Sequence, residues 1–176
     1  MSRAIAAARR VLRAHHRSRG AVNVMAIANS YAHVMPEPLS DEISGMLVPL
    51  SAGHDHPWAI IYNSTHPTVR QRFTIAHELG HVLLHAFTSP HADLGFRVRF
   101  RDPDSSSGSV REEIEANQFA AELLMPKEAV LREAAKVKLD FADPDMDAQK
   151  LAHLADKFDV STTALSFRLA NLAANS

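Results

Sequence analysis

The stretch RQRFTIAHELGHVLLH, residues 70–85, decides how the rest of the chain is read. His77 and His81 bracket Glu78 in an HExxH pattern. On a helix, residues four apart share a face, so both imidazoles can reach one metal ion while Glu78 flanks the same place; the pattern points to metal-assisted hydrolysis. In a chain with eleven histidines, the five-residue pattern would arise by shuffling in roughly 3 sequences of 100, so its surroundings matter. Val69, Phe73, Ala76, Leu79, Gly80, Leu83 and Leu84 recur at helical spacing. They predict a helix over about residues 67–86 with one buried side and the histidines at its border. Pro67 suits the first turn. Gly80 is a poor helix residue, costing roughly 1 kcal/mol against Ala, but a missing side chain between the two histidines would admit substrate or a neighbouring element. The competing reading is two packed or solvated histidines that share a face by accident.

A catalytic zinc usually takes three protein ligands and leaves one position for water, so a His, Asp or Glu is needed from elsewhere. The stretch REEIEANQFAAELLMP, residues 111–126, opens a second helix with Glu112, Glu113 and Glu115 and continues it with Ile114, Phe119, Ala120, Leu123 and Leu124 at core spacing. Glu113, Ala116 and Asn117 stand at i, i+3 and i+4. Glu113 can bind the ion, Ala116 lets the helices approach, and Asn117 can hold a ligand imidazole. Glu115 points elsewhere and is the second choice of ligand. Glu112 is explained by the helix N-terminal dipole.

These two segments together resemble the ImmA/IrrE metallo-endopeptidases, a branch of the zincins. The likeness rests on RQRFTIAHELGH at 70–81 and on Glu113 with EANQFAAELLMP at 115–126. Weaker likenesses are ISGMLV at 43–48, AIIYN at 59–63 and LAHLADKFDVSTTALSFRL at 151–169, so the resemblance covers about residues 20–172. It implies His77, His81 and Glu113 as metal ligands, Glu78 as catalytic base, and zinc as the metal, with manganese or iron compatible with the same nitrogen and oxygen donors. It also implies a partner. Members of this family typically work beside phage-repressor-like helix-turn-helix transcription factors, which they cleave or otherwise inactivate. The expected activity is therefore zinc-dependent endopeptidase action on such a regulator, in stress response, mobile-element or toxin-antitoxin-like control. The rival expectation is a metal-sensing protein that binds a repressor without proteolysis, which needs no base.

The 176 residues, 46% of them hydrophobic, suffice for one compact catalytic unit or one with a small appendage. No apolar run approaches 18 residues and no secretory signal pattern opens the chain, so a soluble cytoplasmic protein without membrane association is expected. With no cysteine there are no disulfides and no thiolate ligands. The net charge of −1 hides an asymmetry: residues 1–36 carry six Arg and no acid. Ile5, Ala8, Val11 and Leu12 give this opening an apolar stripe, which favours a first helix with a solvated basic face over a transit peptide or a nucleic-acid contact.

The expected fold is α+β: a zincin-like, mainly helical metallopeptidase domain over residues 1–138 with a small, largely antiparallel sheet, and a helix-turn-helix-like unit over 139–176 packed on it. Asn23 caps a second helix through about Tyr31, and Pro36 and Pro38 end regular structure. Ser44–Leu50 and Trp58–Tyr62 read as a hairpin. FRVRF at 96–100 reads as an edge strand, and RDPDSSSGS at 101–109 as a surface loop or part of a lid. In the last unit, Leu151, Ala152, Leu154, Ala155 and Phe158 line one helix, Asp159 takes the left-handed turn position, and Ser161 caps a helix continued by Ala164, Leu165 and Leu169. Its second helix carries one charge, Arg168, whereas duplex binding rests on several basic contacts, so direct DNA binding is not expected. His85, about 80° around the helix from His77, edges the cleft or ends the helix as an ordinary polar residue. His54 and His56 read as exposed loop histidines. Tyr31 and Tyr62 are the only tyrosines available to support an oxyanion.

Overall fold

The computed structural model describes residues 2–15, 20–85, 91–93, 107–138 and 148–174. In chain order these form α1 (Arg3–His15), α2 (Val24–Ala28), β1 (His33–Glu37), β2 (Gly45–Pro49), β3 (Trp58–Asn63), α3 (Thr68–Leu84), β4 (His91–Asp93), α4 (Ser107–Leu124), α5 (Lys127–Val137), α6 (Ala148–Phe158) and α7 (Thr162–Ala174). The architecture is α+β as expected, with one four-stranded mixed sheet ordered β1-β3-β2-β4. The expected hairpin forms: β2 runs antiparallel to β3, with Gly45 opposite Tyr62 and Pro49 opposite Trp58.

The sheet also holds strands that the sequence does not announce. β1 pairs parallel with β3, and Pro36 lies inside it opposite Tyr62. The expectation that prolines end regularity fails for Pro36, because among the described residues β1 is an edge strand, where a residue without an N–H need not complete a ladder, but it holds for Pro38, which follows the last residue of β1. β4 pairs antiparallel with β2 at the other edge. The proposed strand FRVRF and residues 101–106 of the proposed loop lie outside the described residues, but residues 107–109 belong to α4 and not to that loop.

Local signals explain the ends of several elements. The Asn23 side chain accepts a hydrogen bond from the Ala26 N–H and starts α2, which stops at Ala28, short of Tyr31. Its end tightens through bonds from Ser30 N–H to Ile27 and from Tyr31 N–H to Ala28. Asp159 closes α6 at φ 54°, and the Val160 N–H reaches the Ala155 carbonyl across it, the hydrogen bond of a Schellman cap. Ser161 then caps α7 by accepting from the Ala164 N–H.

One hydrophobic cluster joins all of this. Ala4, Ala7, Ala8 and Val11 of α1 are buried, so the helix turns its small residues inward and leaves Ile5 and Leu12 half-buried. Phe119, Ala120, Leu123 and Leu124 of α4 are fully buried, but Ile114, placed in the same stripe by its spacing, is exposed. Leu154, Leu165 and Leu169 extend the cluster through the helix-turn-helix-like pair. Arg168 also faces inward, donating to the Met125 carbonyl and pairing with buried Glu122, which Arg9 of α1 meets from the other side. Arg72 of α3 donates to the Val22 and Asp159 carbonyls and pairs with the Asp159 carboxylate, tying the central helix to the turn between α6 and α7. No described helix is long and apolar enough to cross a membrane.

Candidate metal centre

α3 is more deeply enclosed than an amphipathic helix. Thr74, Ile75, Ala76, His77, Glu78, Leu79, Gly80 and His81 are all buried, a continuous run that covers every side of the helix. The polar residues that suggested an open face are covered by tertiary neighbours. On one side lies β2: a Cβ built on Gly45 would stand 2.5 Å from Thr74 Cγ2, 3.0 Å from the Ile61 carbonyl oxygen and 3.5 Å from Glu78 Oε1. On another lies α4, whose Ala116 backbone passes so close to Gly80 that an added Cβ would meet Ala116 Cα at 3.2 Å and Phe119 Cδ1 at 3.2 Å. Gly80 therefore admits a neighbouring helix.

That close approach brings a carboxylate to the two imidazoles. Glu113 Oε2 is 3.3 Å from His77 Nε2, Glu113 Oε1 is 3.2 Å from His81 Nε2, and the two Nε2 atoms are 3.0 Å apart. Donors bound at 2.0–2.1 Å to one tetrahedral ion stand about 3.3 Å from one another, so the three side chains have the spacing of a ligand set. Among the described residues, His77, His81 and Glu113 are the one group of this kind that could hold a metal ion. His77 and His81 are buried, and the Glu113 side chain keeps 14% exposure, which leaves a way in for solvent or substrate. Glu78 is fully buried beside them on the same helix.

The outer nitrogen of His77 is held from α4, and that of His81 from the end of α3. His77 Nδ1 lies 3.1 Å from Asn117 Oδ1, the contact that the i, i+4 spacing of Glu113 and Asn117 predicts. His81 Nδ1 lies 3.0 Å from His85 Nδ1, and His85 Nε2 lies 3.2 Å from Glu115 Oε2. His85 is thus neither a simple helix end nor a member of the three-residue group. Glu115, the second choice of ligand, faces His85 instead. The hydrogen bond from His85, opposed by partial desolvation and helped by Arg111, holds the Glu115 carboxyl below its ordinary range. This pairing escapes sequence reasoning because His85 leaves helical geometry, at φ −122° and ψ 147°, and so reaches a residue that helical spacing alone would miss. α4 also begins at Ser107, earlier than the sequence indicates. Glu112 therefore lies beyond the first turn and its proximity to the helix dipole does not account for it.

The other candidates lie elsewhere. His54 and His56 meet His33 edge-on, with ring centroids 5.7 and 5.5 Å apart, at the start of β1. The Tyr31 hydroxyl is 3.0 Å from His15 Nε2 at the end of α1.

Two buried imidazoles four apart on one helix, a carboxylate delivered by a second, and a small mixed sheet alongside agree with the comparison by sequence pattern. Residues 32–170 match the IrrE N-terminal-like domain, a family of metallopeptidases. The chain belongs to this family. The matched region runs from β1 into α7, so an IrrE N-terminal-like domain here includes the sheet, both helices of the metal group and most of the C-terminal helical pair. Comparison with the curated proteins gives no match.

Proposed function

We propose that this metallopeptidase is a zinc-dependent endopeptidase in which His77, His81 and Glu113 hold the metal and Glu78 is the catalytic base. The convergence of three donor atoms from α3 and α4 within 3.0–3.3 Å supports this reading most directly. When bound, zinc would supply a Lewis acid that lowers the pKa of water toward neutrality. Glu78 takes the proton of the attacking water and returns it to the departing amine, a task for which a carboxylate fixed by burial is suited. Asn117 fixes the His77 ring, and α4 as a whole sets where Glu113 stands. Residues 1–138 form the catalytic unit in this reading, and residues 139–176 a helix-turn-helix-like unit packed on it.

The proposed substrate is a phage-repressor-like helix-turn-helix regulator, on the strength of the family resemblance. The test is mass spectrometry of such a repressor after incubation with wild-type protein and with Glu78→Gln, each loaded with zinc or manganese. Discrete fragments with the wild type and none with Glu78→Gln, at equal metal content, are expected. A stable intact complex with both proteins would instead indicate a metal-dependent repressor binder. Fragments produced by both at the same rate would refute the role given to Glu78.

A further inference from the structure

Beyond the ligand set, we infer that His85 and Glu115 are positioning residues: together they form a relay that fixes the tautomer and ring orientation of His81. The inference rests on the reading of His81 as a ligand and adds to it two residues outside the group of three.

The argument is a count of protons. A neutral imidazole has one N–H and one lone pair. For His81 to offer the Nε2 lone pair to a metal shared with His77 and Glu113, its proton must sit on Nδ1. That nitrogen is 3.0 Å from His85 Nδ1, and an N–H···N contact takes one donor and one acceptor, so His85 Nδ1 carries the lone pair. The His85 proton is then on Nε2, where Glu115 Oε2 accepts it at 3.2 Å. Each partner has one consistent assignment. In the reverse arrangement His85 Nδ1–H would donate to His81, the His81 proton would sit on Nε2 among the metal donors, and a His85 lone pair would face a carboxylate oxygen. The carboxylate of Glu115 therefore selects the tautomer of His81 from two residues away.

Burial gives this selection its strength. The side chains of His81, His85 and Glu115 retain 0%, 5% and 16% of their exposure, and hydrogen bonds in such surroundings are stronger than their aqueous counterparts. His77 has a simpler device, the neutral amide of Asn117. A carboxylate at the end of such a chain raises the basicity of the ligand imidazole and fixes its orientation. Arg111, at 3.2 Å from Glu115 Oε1, holds the far end of the relay but is itself largely exposed.

The test compares wild type with His85→Ala, His85→Asn and Glu115→Gln by two measurements. Zinc affinity is read by competition with a chelating indicator. The His81 tautomer is read from imidazole 15N shifts in the metal-free Glu113→Ala background of each protein, because the Glu113 carboxylate, 3.2 Å from His81 Nε2, would otherwise compete for the proton. His85→Ala should weaken zinc binding by about 10- to 100-fold and release His81 from the Nδ1–H form. His85→Asn keeps an acceptor where Nδ1 stood and should recover much of both. Glu115→Gln keeps an acceptor without the charge, should weaken binding by roughly several-fold, and should add little to His85→Ala in the double variant, because residues in one chain of contacts are not additive. Equal zinc binding by wild type and His85→Ala, with the His81 tautomer unaltered, would overturn the relay alone. A wild type that binds no zinc would overturn the ligand reading beneath it.

Discussion

Gly80 and Ala116 meet backbone to backbone: a methyl group added at Gly80 would fall 3.2 Å from the Ala116 Cα and 3.3 Å from its carbonyl oxygen. The missing side chain sets how near α4 comes to α3, and with it the reach of Glu113. Gly80→Ala gains about 1 kcal/mol of helix propensity, but the crowding it introduces costs about 1–3 kcal/mol, because a helix backbone cannot shift by itself. A net loss of about 1 kcal/mol and weaker zinc binding are expected, measured by chemical denaturation and metal titration. A stabilised variant with unchanged affinity would show that the helices have slack.

Gly45 plays the corresponding part on the sheet side of α3. A Cβ there would lie 2.5 Å from Thr74 Cγ2, so Gly45→Ala should lose about 1–3 kcal/mol. Thr74→Ser removes the colliding methyl. Adding it to Gly45→Ala should recover part of the loss, with the remainder due to the Ile61 carbonyl at 3.0 Å. Thermal melts of the two single variants and the double variant check this.

Zinc should stabilise the folded chain through linkage. At a free concentration 100 times its dissociation constant, a ligand specific to the folded state adds about 2.7 kcal/mol. The rise in melting temperature should vanish on chelation and be sharply reduced in Glu113→Ala. An equal rise in that variant would place the metal elsewhere.

Glu122 is buried between Arg9 and Arg168. Its removal by Glu122→Ala leaves the Arg168 guanidinium buried without its carboxylate and should cost about 3–5 kcal/mol. Replacing both partners with apolar residues, Glu122→Leu with Arg168→Met, should cost less. Urea denaturation of the three proteins discriminates these outcomes.

Glu133 of α5 takes hydrogen bonds from Lys136, from Lys157 of α6 and from Arg132. These bonds, Lys136 first, lower its carboxyl from 4.5 to about 2. A depressed folded-state pKa adds stability that is complete above the unfolded value and disappears as pH falls through the folded one. The advantage of wild type over Glu133→Gln in melting temperature should therefore persist at neutral pH and shrink between about pH 4.5 and about pH 2. High salt should reduce it too, since these partners lie at the surface.

Much of the fold was legible because its signals are local. Asn23, Asp159 and Ser161 do at their turns what their side chains favour, and the apolar spacing of α3 and α4 locates both helices. The edge strands were not legible. Pro36 argues against a strand until its neighbours are known, and its place at the sheet edge removes the objection. Ile114 has core spacing and faces solvent, while Arg168 has a surface residue's chemistry and faces inward, because its partners Met125 and Glu122 lie far away in sequence. His85 and Glu115 meet only after His85 departs from helical geometry.

By itself the sequence determined that His77 and His81 share a face, and that Glu113 and Asn117 do, since a helix of 3.6 residues per turn aligns positions four apart whatever surrounds it. Only the tertiary structure decided that the two faces meet with their donor atoms 3.0–3.3 Å apart, and that α3, with Glu78 fully buried on it, is enclosed between a sheet and a second helix. Those distances depend on how closely two backbones can pack at Gly80 and Ala116. Such packing is a property of surfaces that come together only when the chain has folded.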